Sequence, residues 1–251
     1  MKNAPDARLL VSVVRAAELP AALAGGADVI DLKNPAEGSL GAPAPALVRS
    51  VRAQVSAPVR LSVALGDAPH LPGTMALAAA GAAACGADYL KLGLLGSRQP
   101  EEALELLDAV RRAAHDVDPA ARLVAVAYAD ASPGQALAVA HLPGIAQRAG
   151  WHGVMLDTLA KNGVSTLAAL GEDAVAAFLA AARERGLMAA LAGSLGPDDL
   201  RRAVELGADL VGVRGAACEG GRNGTVSAHR VQALRRGLSH GAPASPVSAR
   251  C

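Results

Sequence analysis

Apolar runs of strand length alternate with helical stretches along almost the whole chain. Leu9-Leu10-Val11-Ser12-Val13-Val14 is the first such run, followed by a helical segment at 16–24 and the turn pair Gly25-Gly26. Ala27-Asp28-Val29-Ile30 then leads into Asp31-Leu32-Lys33, a strand that Pro35 stops. A helix at 45–54, with Leu47, Val48 and Val51 at helical spacing, precedes a third strand at 59–64. Thr74 reads as the N-cap of a small-residue helix reaching Cys85, and Tyr89-Leu90-Lys91-Leu92 is the fourth strand. The helix at 100–114 is acidic at its start and basic at its end, as the helix dipole favours. Strands five and six fall at 123–128 and 153–157, on either side of a helix closing at Ala149-Gly150. A helix at 172–185, a strand at 187–192, a helix at 197–206, a strand at 209–213 and a helix capped by Ser227 complete the pattern.

Eight strands alternating with helices predict a single-domain (β/α)8 TIM barrel, whose usual length is about 250 residues. A repeated unit supports closure. Gly26-Ala27-Asp28, Gly86-Ala87-Asp88 and Gly207-Ala208-Asp209 each end a helix and open an apolar strand. The competing fold, an open doubly wound sheet, lacks its Gly-x-Gly-x-x-Gly turn after the first strand. No linker divides the chain. Residues 1–240 read as one catalytic domain, and 241–251, rich in Pro, Ser and Ala, as a disordered tail.

Composition narrows the function. Of 251 residues 52% are hydrophobic, enough for a large core. Charged residues are 19% with a net charge of +1, so no footprint for nucleic acid or an anionic membrane appears. Aromatics at 2% leave no stacking platform for bases. No apolar run is long enough to span a bilayer, and the first residues lack a signal layout. Cys85, Cys218 and Cys251 are far apart and suggest neither a disulfide framework nor a zinc set. The expected location is the cytoplasm. His70, His115, His141, His152, His229 and His240 show no paired ligand spacing, so no metal is expected.

Lysine is the informative residue. It stands only at positions 2, 33, 91 and 161, against twenty arginines. Arginine cannot deprotonate in a protein, whereas lysine serves as nucleophile or base. Lys33 closes the second strand, Lys91 the fourth and Asp157 the sixth, with Lys161 in the loop beyond. In a barrel, function collects at these C-terminal strand ends, and alternate strands supply one interior layer. Alternation along each strand puts Asp31 on the face of Lys33, where it could orient that amine. Three crowded amines and two carboxylates in a partly apolar mouth would depress one lysine pKa, as Schiff-base chemistry on a carbonyl requires. Strands seven and eight end in Gly193-Ser194 and Arg214-Gly215, where barrels often bind phosphate through backbone N–H groups; Arg214 would add charge there. Tyr128-Ala129-Asp130 ends strand five, where it would line the mouth; a structural role for Tyr128 is the alternative.

The run Gly-Gly-Ala-Asp-Val-Ile-Asp-Leu-Lys-Asn-Pro-Ala-Glu-Gly-Ser-Leu-Gly at 25–41 resembles the signature of the (5-formylfuran-3-yl)methyl phosphate synthases of methanofuran biosynthesis. Supporting blocks are Gly66-Asp67-Ala68-Pro69, Pro72-Gly73-Thr74, residues 86–94, Tyr128-Ala129-Asp130, and Met155-Leu156-Asp157-Thr158 with Lys161. The resemblance implies a barrel that condenses two glyceraldehyde-3-phosphate molecules into a phosphorylated furan aldehyde, releasing phosphate and water without a cofactor. By the same resemblance Lys33 forms the Schiff base, Lys91 transfers protons, and Asp31, Asp157 and Lys161 complete the site. A class I aldolase or isomerase acting on triose phosphates is the alternative enzyme, and a non-catalytic phosphosugar-binding barrel the alternative outside enzymology. Homo-oligomerisation stays open, since no residue decides it.

Overall fold

The computed structural model describes residues 7–67 and 70–239. The predicted tail, His240, Cys251 and the Ala68-Pro69 part of one motif lie outside these residues.

Eight parallel strands close into a barrel in sequence order: β1 (Arg8–Val13), β2 (Val29–Leu32), β3 (Arg60–Ala64), β4 (Tyr89–Gly93), β5 (Arg122–Tyr128), β6 (Gly153–Asp157), β7 (Met188–Leu191) and β8 (Leu210–Val213). β8 pairs back onto β1, with Leu210 opposite Arg8 and Val213 opposite Val11. Between them run α1 (Leu19–Ala24), α2 (Pro45–Arg52), α3 (Pro72–Ala84), α4 (Pro100–Val117), α5 (Leu142–Arg148), α6 (Thr166–Leu170), α7 (Glu172–Glu184) and α8 (Pro197–Glu205), and α9 (Ala228–Ser239) ends the described chain. The predicted (β/α)8 barrel is the observed fold. Among the described residues no helix is long and apolar enough to cross a membrane.

Burial divides the apolar residues into two cores, because parallel strands hide both faces. Outward side chains such as Leu9, Val11, Ile30, Leu32, Leu61 and Leu90 pack under the helices. A smaller inner set, including Leu10, Val29, Tyr89, Val124, Met155 and Leu210, fills the barrel beneath the lysine-bearing layer.

The Gly-Ala-Asp repeat has a physical basis. Gly26, Gly86 and Gly207 sit at φ of 87°, 82° and 99°, the left-handed conformation that ends a helix and that residues with a Cβ adopt at a cost. The aspartate two residues on then binds the preceding strand of the barrel. The backbone N–H of Leu9 donates to Asp28 Oδ2 at 2.7 Å, that of Leu61 to Asp88 Oδ2 at 2.7 Å, and that of Ala189 to Asp209 Oδ2 at 2.8 Å. Each repeat thereby turns the chain and fixes strand register at the N-terminal end of the barrel.

Two local expectations are corrected. α3 starts at Pro72 with Leu71 in the cap position, so Thr74 lies inside the helix. Proline in the first turn has no N–H to satisfy and a φ already helical, so the helix starts ahead of the hydroxyl. After β8 the chain makes an unpredicted two-stranded antiparallel ribbon of β9 (Cys218–Glu219) and β10 (Thr225–Val226). Two residues per strand are too few to show a period of two.

Candidate active site

The C-terminal mouth of the barrel holds a cavity of about 400 Å³ lined by Lys33, Lys91, Asp157, Lys161, the 193–197 loop, Arg214, Gly215 and Arg222. That volume suits a small-molecule ligand. Lys33, Lys91 and Asp157 are buried and line this one cavity with Lys161, and Asp31 pairs with Lys91, so the residues at the ends of even strands come together here.

Asp31 is the central carboxylate of one half of the site. It is fully buried and accepts hydrogen bonds from Ser12 Oγ of β1 and Ser62 Oγ of β3, each at 2.9 Å. Its Oδ1 lies 2.8 Å from Lys91 Nζ across the barrel. This differs from the expectation that Asp31 would hold Lys33 from the same strand face. Alternation along a strand predicts a shared side, but only the barrel's curvature decides which amine reaches the carboxylate.

Lys161 forms the other half. Its amine lies 2.6 Å from Asp157 Oδ1 and also donates to the Thr158 carbonyl. Burial alone would raise the Asp157 pKa, but Lys161 and Lys33 outweigh it and hold the carboxyl below its ordinary value. The loop carrying Lys161 is anchored by Asp130, which accepts the backbone N–H of Leu159 at 2.6 Å and of Ala160 at 2.8 Å. Tyr128, two residues earlier, donates its buried hydroxyl to Asp67. Burial and the Asp67 charge raise the Tyr128 pKa well above the ordinary phenol value, so the hydroxyl is a fixed donor. Both residues of that motif therefore support the loops around the site.

Lys33 is unlike the other two lysines. Among the described residues its amine takes part in no hydrogen bond and no ion pair. Burial pushes its pKa down; Asp157 and then Asp31 pull it up, Lys91 and Lys161 push it down, and the balance is about 8. The segment after it explains the burial. Asn34 caps a short turn at Pro35–Glu37 by accepting the Ala36 N–H, and its own N–H donates to the Gly41 carbonyl at 2.8 Å. Ser39 Oγ then donates to the Thr158 carbonyl and the Leu40 N–H to Asp67, seating the run against the loops of β6 and β3. The conspicuous Lys-Asn-Pro-x-Glu-Gly-Ser-Leu-Gly run is thus a folded strap beside the free amine. Gly93 belongs to the same construction: a Cβ there would collide with the Tyr128 hydroxyl and Asp67.

The loops after the adjacent strands β7 and β8 both line the cavity. Gly193 and Ser194 adopt φ of 92° and 52°. No backbone hydrogen bond among the described residues uses the N–H of Ser194 or of Gly215. Arg214 is placed differently from its expected role. Its five N–H groups donate to both Glu18 oxygens at 3.0 and 3.2 Å and to the carbonyls of Ser12, Arg222 and Gly224. The guanidinium is therefore a buried brace for the ribbon. Arg214 lines the cavity with its donors all engaged; Arg222 lines it too, and the sequence did not single it out because one arginine among twenty in a Gly-rich loop carries no local signal. Among the described residues no group of three or more His, Cys, Asp or Glu side chains could hold a metal ion.

A closed eight-stranded barrel with two lysine–carboxylate pairs at its C-terminal mouth places the chain in the (β/α)8 class. Its architecture resembles 3-hexulose-6-phosphate synthase from Salmonella typhimurium (TM-score 0.66, 14% identity, covering 93% of this chain and 99% of that one). It also resembles phosphoribosyl anthranilate isomerase from Thermus thermophilus (TM-score 0.60, 17% identity, 92% and 98%); at such identities the likeness concerns fold alone. Sequence carries further. The family model described as 4-HFC-P synthase matches residues 9–235. Proteins named (5-formylfuran-3-yl)methyl phosphate synthase are similar throughout: 44% identical over 88% of this chain and 94% of the Methanothermobacter thermautotrophicus protein, and 44% over 92% and 99% for Methanopyrus kandleri. The chain belongs to the 4-HFC-P synthase family.

Proposed function

We propose that the protein condenses two molecules of glyceraldehyde-3-phosphate into (5-formylfuran-3-yl)methyl phosphate, through an imine on Lys33, for methanofuran-type cofactor synthesis. Family membership supports the product. The observation that carries the mechanism is the buried Lys33 amine, unpaired and pulled down to about 8 between two lysine–carboxylate pairs. A neutral amine attacks an aldehyde, and an amine with this pKa is neutral in an appreciable fraction near neutrality.

In this reading the Lys33 nitrogen adds to the aldehyde carbon of one triose and water leaves. Lys91, tied to Asp31, moves the proton at the adjoining carbon, and Asp157 with Lys161 serves the second carbonyl. Atom balance requires one phosphate and two waters to leave for each furan formed. The amides of Ser194 and Gly215 cradle a phosphate between the β7 and β8 loops, with Arg214 bracing the second of these.

Purified protein incubated with glyceraldehyde-3-phosphate should develop the ultraviolet absorption of a conjugated furan aldehyde. Borohydride added during turnover should fix a stable mass on the peptide containing Lys33, and Lys33→Arg should abolish it because guanidinium cannot form the imine. A label on Lys91 or Lys161 would refute the assignment of roles; absence of the furan would return the simple aldolase. Imine chemistry uses the amine alone, so turnover should persist after prolonged EDTA treatment. Loss of turnover that a divalent ion restores would overturn the mechanism.

A further inference from the structure

The ribbon after β8 has features that a connecting loop does not need. Gly220 and Gly221 both sit at positive φ, 77° and 74°, forcing a tight reversal immediately before Arg222. The buried Arg214–Glu18 pair then fixes the ribbon from below: Arg214 Nε donates to the Arg222 carbonyl at 2.9 Å and Nη2 to the Gly224 carbonyl at 3.2 Å. Glu18 is itself held by the Val14 N–H at 3.0 Å. Several buried contacts therefore serve to place one half-buried arginine.

The Arg222 side chain itself is uncommitted. It lines the cavity with Lys33, Lys161, Ser194 and Gly215, and its guanidinium makes no hydrogen bond or ion pair among the described residues. Burial lowers its pKa, Asp157 opposes that, and Arg214 adds repulsion, so the cation lies within reach of the site's charges without a partner of its own. A desolvated cation beside another guanidinium is unfavourable until an anion joins it. Planar guanidinium donors match a phosphate monoester's oxygens, and the unused N–H groups of Ser194 and Gly215 lie along the same cavity wall.

We infer that Arg222 is the side-chain donor that binds the substrate's phosphate, closing the cradle formed by Ser194 and Gly215. The assignment rests on the reading of the substrate as a phosphorylated aldehyde, and deepens it by naming the residue that selects the phosphate. Arg214 and Glu18 hold the ribbon from which Arg222 reaches.

Titration calorimetry with inorganic phosphate on the full chain tests this directly. Arg222→Ala should weaken phosphate binding roughly tenfold or more, as loss of charge-assisted hydrogen bonds implies, with Arg222→Lys intermediate. Thermal melts identify a variant that fails to fold; in that event Arg222→Lys, which keeps the charge and stem, decides the matter by losing bidentate binding. With glyceraldehyde-3-phosphate the loss should appear chiefly in KM. Equal phosphate affinity in wild type and Arg222→Ala overturns the inference, as does wild-type protein that binds no phosphate. If wild type forms the furan while Arg222→Ala keeps its KM, the inference falls and the proposed function stands. If phosphate binding depends on Arg222 but no furan forms, the proposed function falls and the anion site stands.

Discussion

Aspartates sit at both ends of this barrel and are used in opposite ways. At the N-terminal end Asp28, Asp88 and Asp209 repeat one solution: each carboxylate takes the backbone N–H of the strand before it. Two of them add partly exposed arginines, Arg52 at 2.7 Å and Arg60 at 3.1 Å for Asp88, and Arg235 at 3.7 Å for Asp28. At the C-terminal end Asp31 and Asp157 are each used once, without a repeat, and their partners are lysines, Lys91 buried and Lys161 half-buried. Arginine beside water is permanently charged and costs little to keep there; lysine in a dry mouth can give up its proton. One end holds the strands in register, and the other keeps an amine poised.

The contrast is broken hardest at Asp31. Asp31→Asn should keep the shape, with one serine hydroxyl reversing to accept from the new amide N–H, while leaving Lys91 without its counter-charge. Turnover to the furan should fall by about a hundredfold or more if Lys91 transfers the proton. Stability should fall by about 3–5 kcal/mol, as for one partner lost from a buried ion pair. Turnover within a few-fold of wild type, by furan absorbance, would remove Asp31 and Lys91 from the chemistry.

Lys33 offers a second test, at the level of stability. Its folded pKa of about 8 lies below the ordinary lysine value of 10.5, so between those limits the unfolded chain binds more protons than the folded one. Stability due to this group therefore rises with pH through that window and is lowest below pH 8. A fall from 10.5 to about 8 corresponds to about 3 kcal/mol against the folded state near pH 7. Lys33→Met should accordingly be the more stable protein at pH 7, and its advantage should shrink as pH rises from about 8 towards 10.5. Urea titrations at pH 7 and pH 10 measure both gaps. An advantage that does not change with pH would mean that Lys33 is not a desolvated amine.

Legibility followed the same division. The N-terminal end could be read because its device is local and repeated: a glycine to end the helix, an aspartate two residues on, then an apolar strand. The convergence of Lys33, Lys91, Asp157 and Lys161 was legible from strand parity, since even strands share an interior layer. The pairing was not, because whether Asp31 meets Lys33 two residues away or Lys91 two strands away depends on tilt and closure. Arg214 and Arg222 illustrate the same limit. The motif position pointed to Arg214, yet its guanidinium closes on Glu18, 196 residues distant in sequence. No composition or spacing connects those two residues, and the arginine left facing the cavity follows only from that buried pair.

The smallest expected effect sharpens the comparison from the other side. Asp88→Ala removes two partly exposed arginine contacts and the acceptor for the Leu61 N–H. The arginine pairs contribute little, since water screens them and Arg60 is itself half exposed. The orphaned backbone N–H matters more, so destabilisation of about 1–3 kcal/mol is expected, read as a shift of the urea midpoint with unchanged slope. β3 ends on the far side of the barrel from Asp88, so the variant's turnover per folded molecule should stay within about twofold of wild type at a temperature where it remains folded. A large fall in kcat with little change in the urea midpoint would mean that the two ends are coupled, and that the division of labour between their aspartates is wrong.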